Sequence, residues 1–463
     1  MHGGVVLFRG TGADAMRYVE ADRSRADDYY LGDATGISYI VLDASGEATS
    51  SRSSSPEEYA GWVDWITPDT SDQMGKPRNA GDVRRGSPRF AEMVINTPKS
   101  LSVAAALHPE VSEALDAAQQ DALSEIQRRL GQHSVTRVGP RGKQEVVPVE
   151  HMQVVGITHR TSRAGDPHRH IHMQVGTRVW AAGKWRALDT AAIFKQQGAI
   201  RALGTAVIAA SPHLAEALDR HGLTLDPVTG EVVELEPFNA LMSKRGEQVR
   251  KNLERLEAAW EAAHPGETMG PVVSSRLTAQ AWAHERPAKK PTTLREEAAW
   301  LTELREAGYD PDTLIRRPAH TPRLSAELSV QEIASRALDR CAAAASAWTP
   351  HTVQEYATRI ITEHGVRATP KRCASWCRLR RHSRSRTASR SSPLMHRHRS
   401  MSPTSPRCES CKLKPSYATS SWRARRIRST AIATCRRSPR SSGSSSTPGS
   451  CAQQPRSPPL IRS

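Results

Sequence analysis

The chain changes character abruptly at residue 371, and this change limits which part of it can fold. From residue 371 to residue 463 there are 22 lysines and arginines against one acidic residue, and 23 serines. A segment of this kind has too few apolar side chains to offset the chain entropy that is lost on folding. We therefore expect a disordered tail over 371–463 and look for the function in residues 1–370.

The origin of the tail is open to three interpretations. An Arg- and Ser-rich segment can serve as a nucleic-acid-binding arm, and the pair Cys408 and Cys411 has the spacing of half a zinc site. A GC-rich reading frame that is read out of phase has the same composition. We favour a frameshift near residue 370, because helical patterning stops just before Lys371; resequencing of the gene through that point would test it.

The basic character of the chain belongs to the tail alone. The whole sequence has a net charge of +17, whereas residues 1–370 have a net charge of −4. Six of the seven cysteines lie beyond residue 370, so no disulfide framework is expected in the body. No apolar run approaches the ~20 residues that span a bilayer, and the first apolar run is too short for a signal peptide. We expect a cytoplasmic protein without membrane insertion.

The body has the mixed pattern of an α+β domain. Short strand-like runs separated by turn signals alternate with amphipathic helical stretches, the clearest of them at 110–130 and 243–263. We expect a largely antiparallel central sheet flanked by helices over residues 1–290. A Ser-, Gly-, Pro- and Asp-rich region at 44–86 looks like a loop, with Trp62 and Trp65 in a short amphipathic piece. A small helical segment follows over 291–370, and it shows no active-site chemistry.

Histidines are concentrated in one short stretch. His168, His170 and His172 alternate, so they share one face of a strand, and His159 lies on the preceding strand. Three neutral imidazoles with open positions form a site for a catalytic divalent ion. The three alternating histidines span too far to converge on one ion, and His168 is the one that fits least well. A solvated polar strand face is the other interpretation.

Tyrosines are concentrated near the N-terminus. Tyr18 and Tyr29 are 11 residues apart, so both face one side of a continuous helix, whereas Tyr30 is rotated by about 100°. An aromatic stripe that packs on the sheet is one interpretation. The other is a nucleophile, and since a phenol with a pKa of about 10 is only about 0.1% ionised at pH 7, it would need a metal-polarised electrophile and a base.

A strand followed by a helix start is expected around Pro98. Glu92 lies on the strand, and Lys99 begins the helix. The amides that open a helix can hold an anion such as phosphate, although an ordinary strand-to-helix turn has the same pattern.

Together these segments resemble the relaxase domain of the TrwC/MobF-type conjugative relaxases, members of the HUH endonuclease superfamily. The resemblance covers residues 1–290 and follows the family's order. The tyrosine cluster comes first, Pro98-Lys99-Ser100 second, and the run from His159 to His172 third. The segments 183–189 and 238–245 are similar to the family's downstream signatures.

The resemblance implies site- and strand-specific nicking and strand transfer at the transfer origin of a plasmid or integrative element. Tyr18 would attack the scissile phosphate and form a 5′-phosphotyrosyl link, and Tyr29, or else Tyr30, would act in later strand transfer. Glu92 stands where the family carries an Asp, and it would accept the tyrosine proton or orient a histidine. The implied metal ligands are His159, His170 and His172, with Mg²⁺ or Mn²⁺ as the ion and Zn²⁺ as an alternative.

The implied partner is single-stranded DNA at a transfer origin, with accessory and coupling proteins of a conjugation system and no ATP. Lys99, Arg163 and Arg169 are the expected DNA-binding residues. Four tryptophans could stack on bases or belong to the core: Trp62, Trp65, Trp180 and Trp185. Residues 291–370 would lead toward a helicase domain that is missing here. A catalytically inactive DNA-binding remnant, a rolling-circle replication initiator and a metallohydrolase unrelated to nucleic acid are the alternatives.

Overall fold

The central element of the structure, a computed structural model, is an antiparallel sheet that seven of the described strands form. The described residues are 4–22, 36–79, 82, 84–162, 164–284, 294–311 and 328–378, with the backbone alone for 18–22, 294–298 and 375–378. The sheet has the order β1-β4-β8-β7-β2-β3, and β9 pairs with the far part of β8. Its strands are β1 (Val6–Phe8), β2 (Ile37–Asp43), β3 (Ala48–Ser53), β4 (Phe90–Asn96), β7 (His151–Thr161), β8 (Pro167–Ala181) and β9 (Lys184–Ala187).

A separate two-stranded hairpin is formed by β5 (Val135–Val138) and β6 (Glu145–Pro148). Its turn, residues 139–144, contains Gly139, Pro140 and Gly142. The hairpin and the sheet together confirm the α+β class with an antiparallel sheet.

Helices cover both faces of the sheet. One face, which carries Met93, Ile171 and Met173, packs in the larger core against residues such as Leu115 and Ile200. The helices in sequence order are α1 (Gly12–Asp22), α2 (Pro56–Val63), α3 (Lys99–Leu107), α4 (Pro109–His133), α5 (Thr190–Ala209), α6 (Pro212–Arg220), α7 (Lys244–Ala263), α8 (Pro271–Ala283), α9 (Leu294–Glu306), α10 (Val330–Ala344), α11 (Pro350–Glu363) and α12 (Pro370–Arg378). No described helix is both long enough and apolar enough to span a bilayer.

The opposite face of the sheet is covered by α1 and α2. Ala15 from α1 and Trp62 from α2 pack in a smaller core with Tyr39, Phe90 and Ile157 of the sheet. Because the side chains of a strand alternate between its two faces, this is also the face toward which the alternating histidines of β8 are directed.

The last described helices pack on the outside of α5. Ala368 donates its backbone N–H to the carbonyl oxygen of Ala210, at 3.0 Å, and Cys373 and Ala374 of α12 lie in the larger core. The described residues therefore belong to one compact unit, residues 1–392. The boundaries that we predict at residues 290 and 370 stay predictions, but α12 continues helical structure to residue 378, past the start of the predicted tail.

The region 44–86 contains regular structure where the sequence suggests a loop. It holds β3 and α2, and α2 begins with a capping box in which the Ser55 side chain accepts from the Glu58 amide and the Glu58 carboxylate accepts from the Ser55 amide. Pro56 occupies the first helical position. The Ser-Pro-x-Glu pattern of this helix start is visible in the sequence and outweighs the polar composition around it.

Candidate active site

Strands β7 and β8 bring three histidines together near the end of the sheet. His159 lies directly opposite His170 in the antiparallel register, and His172 lies opposite Ile157. Directly opposed residues of an antiparallel pair direct their side chains to the same face, as do residues two apart on one strand. His159, His170 and His172 therefore share the face that α1 and α2 cover, and all three are more than nine-tenths buried.

The spacing of the three rings suits a common ligand. The ring centroids lie 5.3 Å apart for His159 and His170, 5.2 Å for His159 and His172, and 5.1 Å for His170 and His172. Imidazole nitrogens bind Zn²⁺ at about 2.0–2.1 Å, which places the ring centres of tetrahedral ligands about 5 Å apart. Among the described residues, however, no three or more His, Cys, Asp or Glu side chains form a group that could hold a metal as they stand.

Polar side chains orient one of these rings. Nδ1 of His172 lies 3.1 Å from Oε1 of Glu92, and Gln174 donates from Nε2 to Oε2 of Glu92 at 3.0 Å. The Tyr59 hydroxyl donates in turn to Oε1 of Gln174 at 2.9 Å. Burial raises the pKa of Glu92, but hydrogen bonding and the charge of His172 together lower it by a larger amount. The pKa of Glu92 therefore lies below its usual value. Glu92 is therefore a carboxylate that fixes a histidine.

Two of the alternating histidines, His168 and His170, are held in the neutral form. Burial lowers the pKa of His170 well below its ordinary value, and the neighbouring histidines lower it further. Its Nδ1 lies 2.9 Å from the backbone oxygen of His168, so Nε2 is the nitrogen left for a ligand. Burial also lowers the pKa of His168, to about 3, with the charges of Lys99 and His172 adding to the effect. A neutral imidazole is the form that binds a metal ion.

A cavity of about 810 Å³ opens beside the histidines. Lys99 lines it and donates from Nζ to the backbone oxygen of Pro167 at 2.7 Å. Burial lowers the pKa of Lys99 to about 8, although the carboxylates of Asp166 and Glu231 raise it. The other lining residues are Thr161, Ser162, Asp166, His168, His170, His172, Ser243, Arg245, Gly246, Ala279, Trp282 and Ala283.

The start of α3 already holds an anion, and this anion comes from the protein itself. The Glu231 carboxylate accepts from the Ser100 amide at 3.2 Å and from the Ser100 hydroxyl at 2.5 Å. Ser100 Oγ also accepts from the Val232 amide at 2.6 Å. The helix start therefore binds the 231–232 loop where the sequence suggests a phosphate site.

Of the two predicted DNA-binding arginines, only Arg169 is among the described residues. The Arg169 guanidinium is buried and donates to Oδ1 of Asp116 at 3.0 Å and to the Ser112 hydroxyl at 2.7 Å. In this conformation Arg169 ties β8 to α4. Arg163 lies outside the described residues.

The predicted nucleophiles are described only in part. Tyr18 lies in α1, the helix that covers the histidine face, and its backbone alone is described. Tyr29 and Tyr30 lie outside the described residues. Their catalytic roles stay predictions.

The C-terminal wall of the cavity has no signal in the sequence. Trp282 is 54% exposed at the end of α8, and Arg245 lies near the start of α7. We consider four other tryptophans as base-stacking residues, and of these Trp62 and Trp65 are buried in the smaller core. Position in the chain gives no signal for Trp282, because α7 and α8 reach the histidines only through the tertiary fold.

Comparison with known proteins gives one family and a set of similar structures. The family model described as TrwC relaxase matches residues 12–307. No curated protein matches the chain. The similar structures include a metal-bound complex of the conjugative relaxase TrwC with oriT DNA, with 19% identity over 67% of this chain and 100% of that one. A copper-bound complex has 21% identity over 66% and 99%, and a complex with a 27-mer that contains the recognition hairpin and cleavage site has 19% over 66% and 99%. The TM-score is 0.46 in all three cases.

Proposed function

The chain belongs to the TrwC relaxase family, and from this premise we propose that it nicks one DNA strand at a transfer origin and transfers that strand through a tyrosine. The observation that carries the proposal is the cluster of His159, His170 and His172 on the sheet face that α1 covers. The helix that carries Tyr18 and the strands that carry the histidines thus face each other.

The reaction is a transesterification in which atoms and charge balance. The oxygen of Tyr18 forms a bond to the scissile phosphorus, and the bond from phosphorus to the 3′ oxygen breaks. The tyrosine gives up one proton and the 3′ oxygen takes one up, so the products are a 5′-phosphotyrosyl link and a free 3′-OH. The energy of the phosphodiester is kept in this link, and attack by a 3′-OH on it rejoins the strand.

The histidine cluster supplies nitrogen donors for a divalent cation, and we infer that the side chains rearrange to bind it. Three buried imidazoles with ring centres about 5 Å apart are nitrogen donors of the kind that transition ions prefer. A bound cation would withdraw charge from the scissile phosphate and make its phosphorus more electrophilic. In this proposal Glu92 keeps the His172 ring in place, and Lys99, which lines the cavity, binds a phosphate oxygen.

Of the ions that the resemblance implies, Zn²⁺ suits this donor set best. Mg²⁺ and Mn²⁺ prefer oxygen ligands, and the three donors here are nitrogens. Accessory and coupling proteins of a conjugation system and a cytoplasmic location stay predictions.

A covalent-adduct assay tests the proposal. The full chain would be mixed with Mn²⁺ or Mg²⁺ and single-stranded oligonucleotides that tile the intergenic region beside its gene, and then run on a denaturing gel. We expect a protein–DNA band that EDTA abolishes and that Tyr18→Phe loses. Tyr356→Phe, a change in α11 away from the histidines, is the matched control and should keep the band.

The other outcomes separate the alternatives. Tight binding of an oligonucleotide without any covalent band in the presence of either metal would mean that the chain is an inactive DNA-binding remnant. A band that persists in Tyr18→Phe would assign the attack to another residue.

A further inference from the structure

An exposed indole stands in the wall of the histidine cavity. Trp282 is 54% exposed, and it lines the same cavity of about 810 Å³ as His170, His172 and Lys99. A large aromatic side chain that is open to solvent beside a candidate active site is a common mark of a binding surface.

The Arg245 side chain packs against one face of this indole and donates a hydrogen bond to the backbone of the same residue. The Arg245 guanidinium carbon lies over the Trp282 ring, 5.8 Å from its centroid, and Nη2 donates to the backbone oxygen of Trp282 at 2.7 Å. Nη1 donates to Oε1 of Gln248 at 2.7 Å, and the residue is only 8% exposed. The guanidinium is therefore fixed at several points and covers one face of the ring.

The same arginine connects the indole to the histidine strands. The backbone N–H of Arg245 donates to Oδ2 of Asp166 at 3.3 Å, and the Ser162 hydroxyl donates to the same oxygen at 3.1 Å. Asp166 and Ser162 lie in the turn between β7 and β8. The position of Trp282 is thus set by the turn that joins the strands carrying His159 and His170.

The space around the indole suits a flat ligand. Gly246, Ala279 and Ala283 line the same cavity and have no side chain or a single methyl group, so few side-chain atoms from these residues project into it. The volume lies within the ~300–1,000 Å³ that small-molecule sites occupy. A nucleobase stacks on an aromatic face whatever its sequence, and a backbone phosphate can meet a lysine in the same groove.

We propose that Trp282 is the stacking platform for one nucleobase of the bound single strand, at a nucleotide close to the scissile phosphate. Arg245 occupies one face of the ring, and the base takes the other. The subsite rests on the proposed function, since it requires single-stranded DNA in the histidine cavity, and it adds a contact that fixes the register of the strand over the histidines.

Variants of Trp282 test the platform through binding. The full chain would be titrated, without metal, into labelled single-stranded oligonucleotides that tile the intergenic region beside its gene, and the tightest binder would be kept. Trp282→Ala and Trp282→Leu should bind it roughly 5- to 150-fold more weakly, whereas Trp282→Phe should keep most of the affinity. Trp348→Ala is the matched control, because Trp348 is 42% exposed outside the cavity wall; it should bind like the unchanged chain.

An abasic scan identifies the base. The bases of the oligonucleotide are removed one at a time, and we expect one position at which the loss weakens binding to the unchanged chain but not to Trp282→Ala. The effects of removing that base and of Trp282→Ala are then non-additive, as expected for a base that contacts Trp282 directly. The same thermal unfolding midpoint in all variants would exclude a folding defect.

Two results would overturn the platform. One is Trp282→Ala binding with the affinity of the unchanged chain; the other is an abasic scan in which every position weakens both proteins equally. These failures differ from a failure of the proposed function, because the covalent band of the unchanged chain is measured in a separate experiment.

Discussion

At the scale of single residues, the hydrogen-bonded carboxylate beside the histidines gives the clearest prediction. Glu92→Gln keeps the size of the side chain but removes the charge that faces Nδ1 of His172. Because such a partner fixes the ring and raises the basicity of a ligand, we expect metal affinity to fall about 10- to 100-fold. Isothermal titration with Mn²⁺ and Zn²⁺ measures it directly.

The control for this change is Glu145→Gln. Glu145 is exposed on β6 in the separate hairpin, so its loss should leave metal affinity unchanged. If Glu92→Gln also bound the metal with unchanged affinity, then Glu92 would have no part in orienting His172, and proton acceptance from the tyrosine would become its better role.

Lys99 gives a prediction about pH. Its pKa in the folded chain is about 8, below the ordinary value of 10.5, so the charge that can bind a phosphate is present at pH 7 and is lost as the pH rises through 8. DNA affinity should therefore fall between pH 7 and pH 9.5. At pH 7, Lys99→Met should bind DNA about 10-fold more weakly, as expected for one charged hydrogen bond.

The variant Lys99→Arg separates charge from other effects of pH. Arginine stays protonated over this whole range. The DNA affinity of the Lys99→Arg variant, measured by fluorescence anisotropy at constant ionic strength, should therefore lose most of its pH dependence. An equally steep fall in Lys99→Arg would attribute the effect to another group.

The same pKa has an opposite consequence for stability. Between pH 8 and pH 10.5 the unfolded chain binds more protons at this lysine than the folded chain does, so the contribution of Lys99 makes the fold more stable as the pH rises. Below pH 8 both states are protonated, and the cost of burying the charge is present in full.

At the scale of elements, the sequence predicts those that carry their own periodicity. The long helix α4 lies close to its predicted position, and β7 and β8 are the two strands on which the histidines are predicted. The alternation of His168, His170 and His172 predicts a strand with a histidine face, and the register of β7 and β8 has that face. The local sequence pattern is sufficient to predict these elements because each of them is long or bounded by clear turns.

Elements that depend on distant contacts were harder to predict. Strand β3 is short, rich in serine and held only at one edge of the sheet by β2, so composition alone suggests a loop. Arg169 is another case. The sequence predicts it as a DNA-binding residue beside the histidines but gives no sign that Asp116 and Ser112, more than 50 residues earlier in the chain, accept its hydrogen bonds. Trp282 reaches the cavity through the packing of α7 and α8, which no periodicity encodes.

At the scale of the whole molecule, the helices beyond residue 330 affect the stability of the body. Helix α11 lies against α5. Nδ1 of His351 in α11 is 3.1 Å from Nη2 of Arg129 in α4, and α12 places Cys373 in the larger core. The family match ends at residue 307, before these helices begin. The body therefore extends structurally beyond the part that the family accounts for.

A comparison of two shortened chains tests this extension. Residues 1–308 lack α10, α11 and α12, whereas residues 1–378 keep them. Each apolar side chain that a lost helix buries contributes about 1.5–3 kcal/mol, and a change of 1 kcal/mol shifts the unfolding midpoint of a large domain by about 2–4 °C. We expect residues 1–308 to unfold at least about 5 °C below residues 1–378 by differential scanning calorimetry.

DNA binding should respond differently from stability in these two chains. The histidine cavity is lined by residues between Lys99 and Ala283, so both chains contain all of its described walls. At a temperature where both are folded, we expect equal affinity for the same oligonucleotide. Equal unfolding midpoints would show that α10–α12 only rest on the surface, and a loss of DNA affinity in residues 1–308 would show that these helices support the cavity as well as the core.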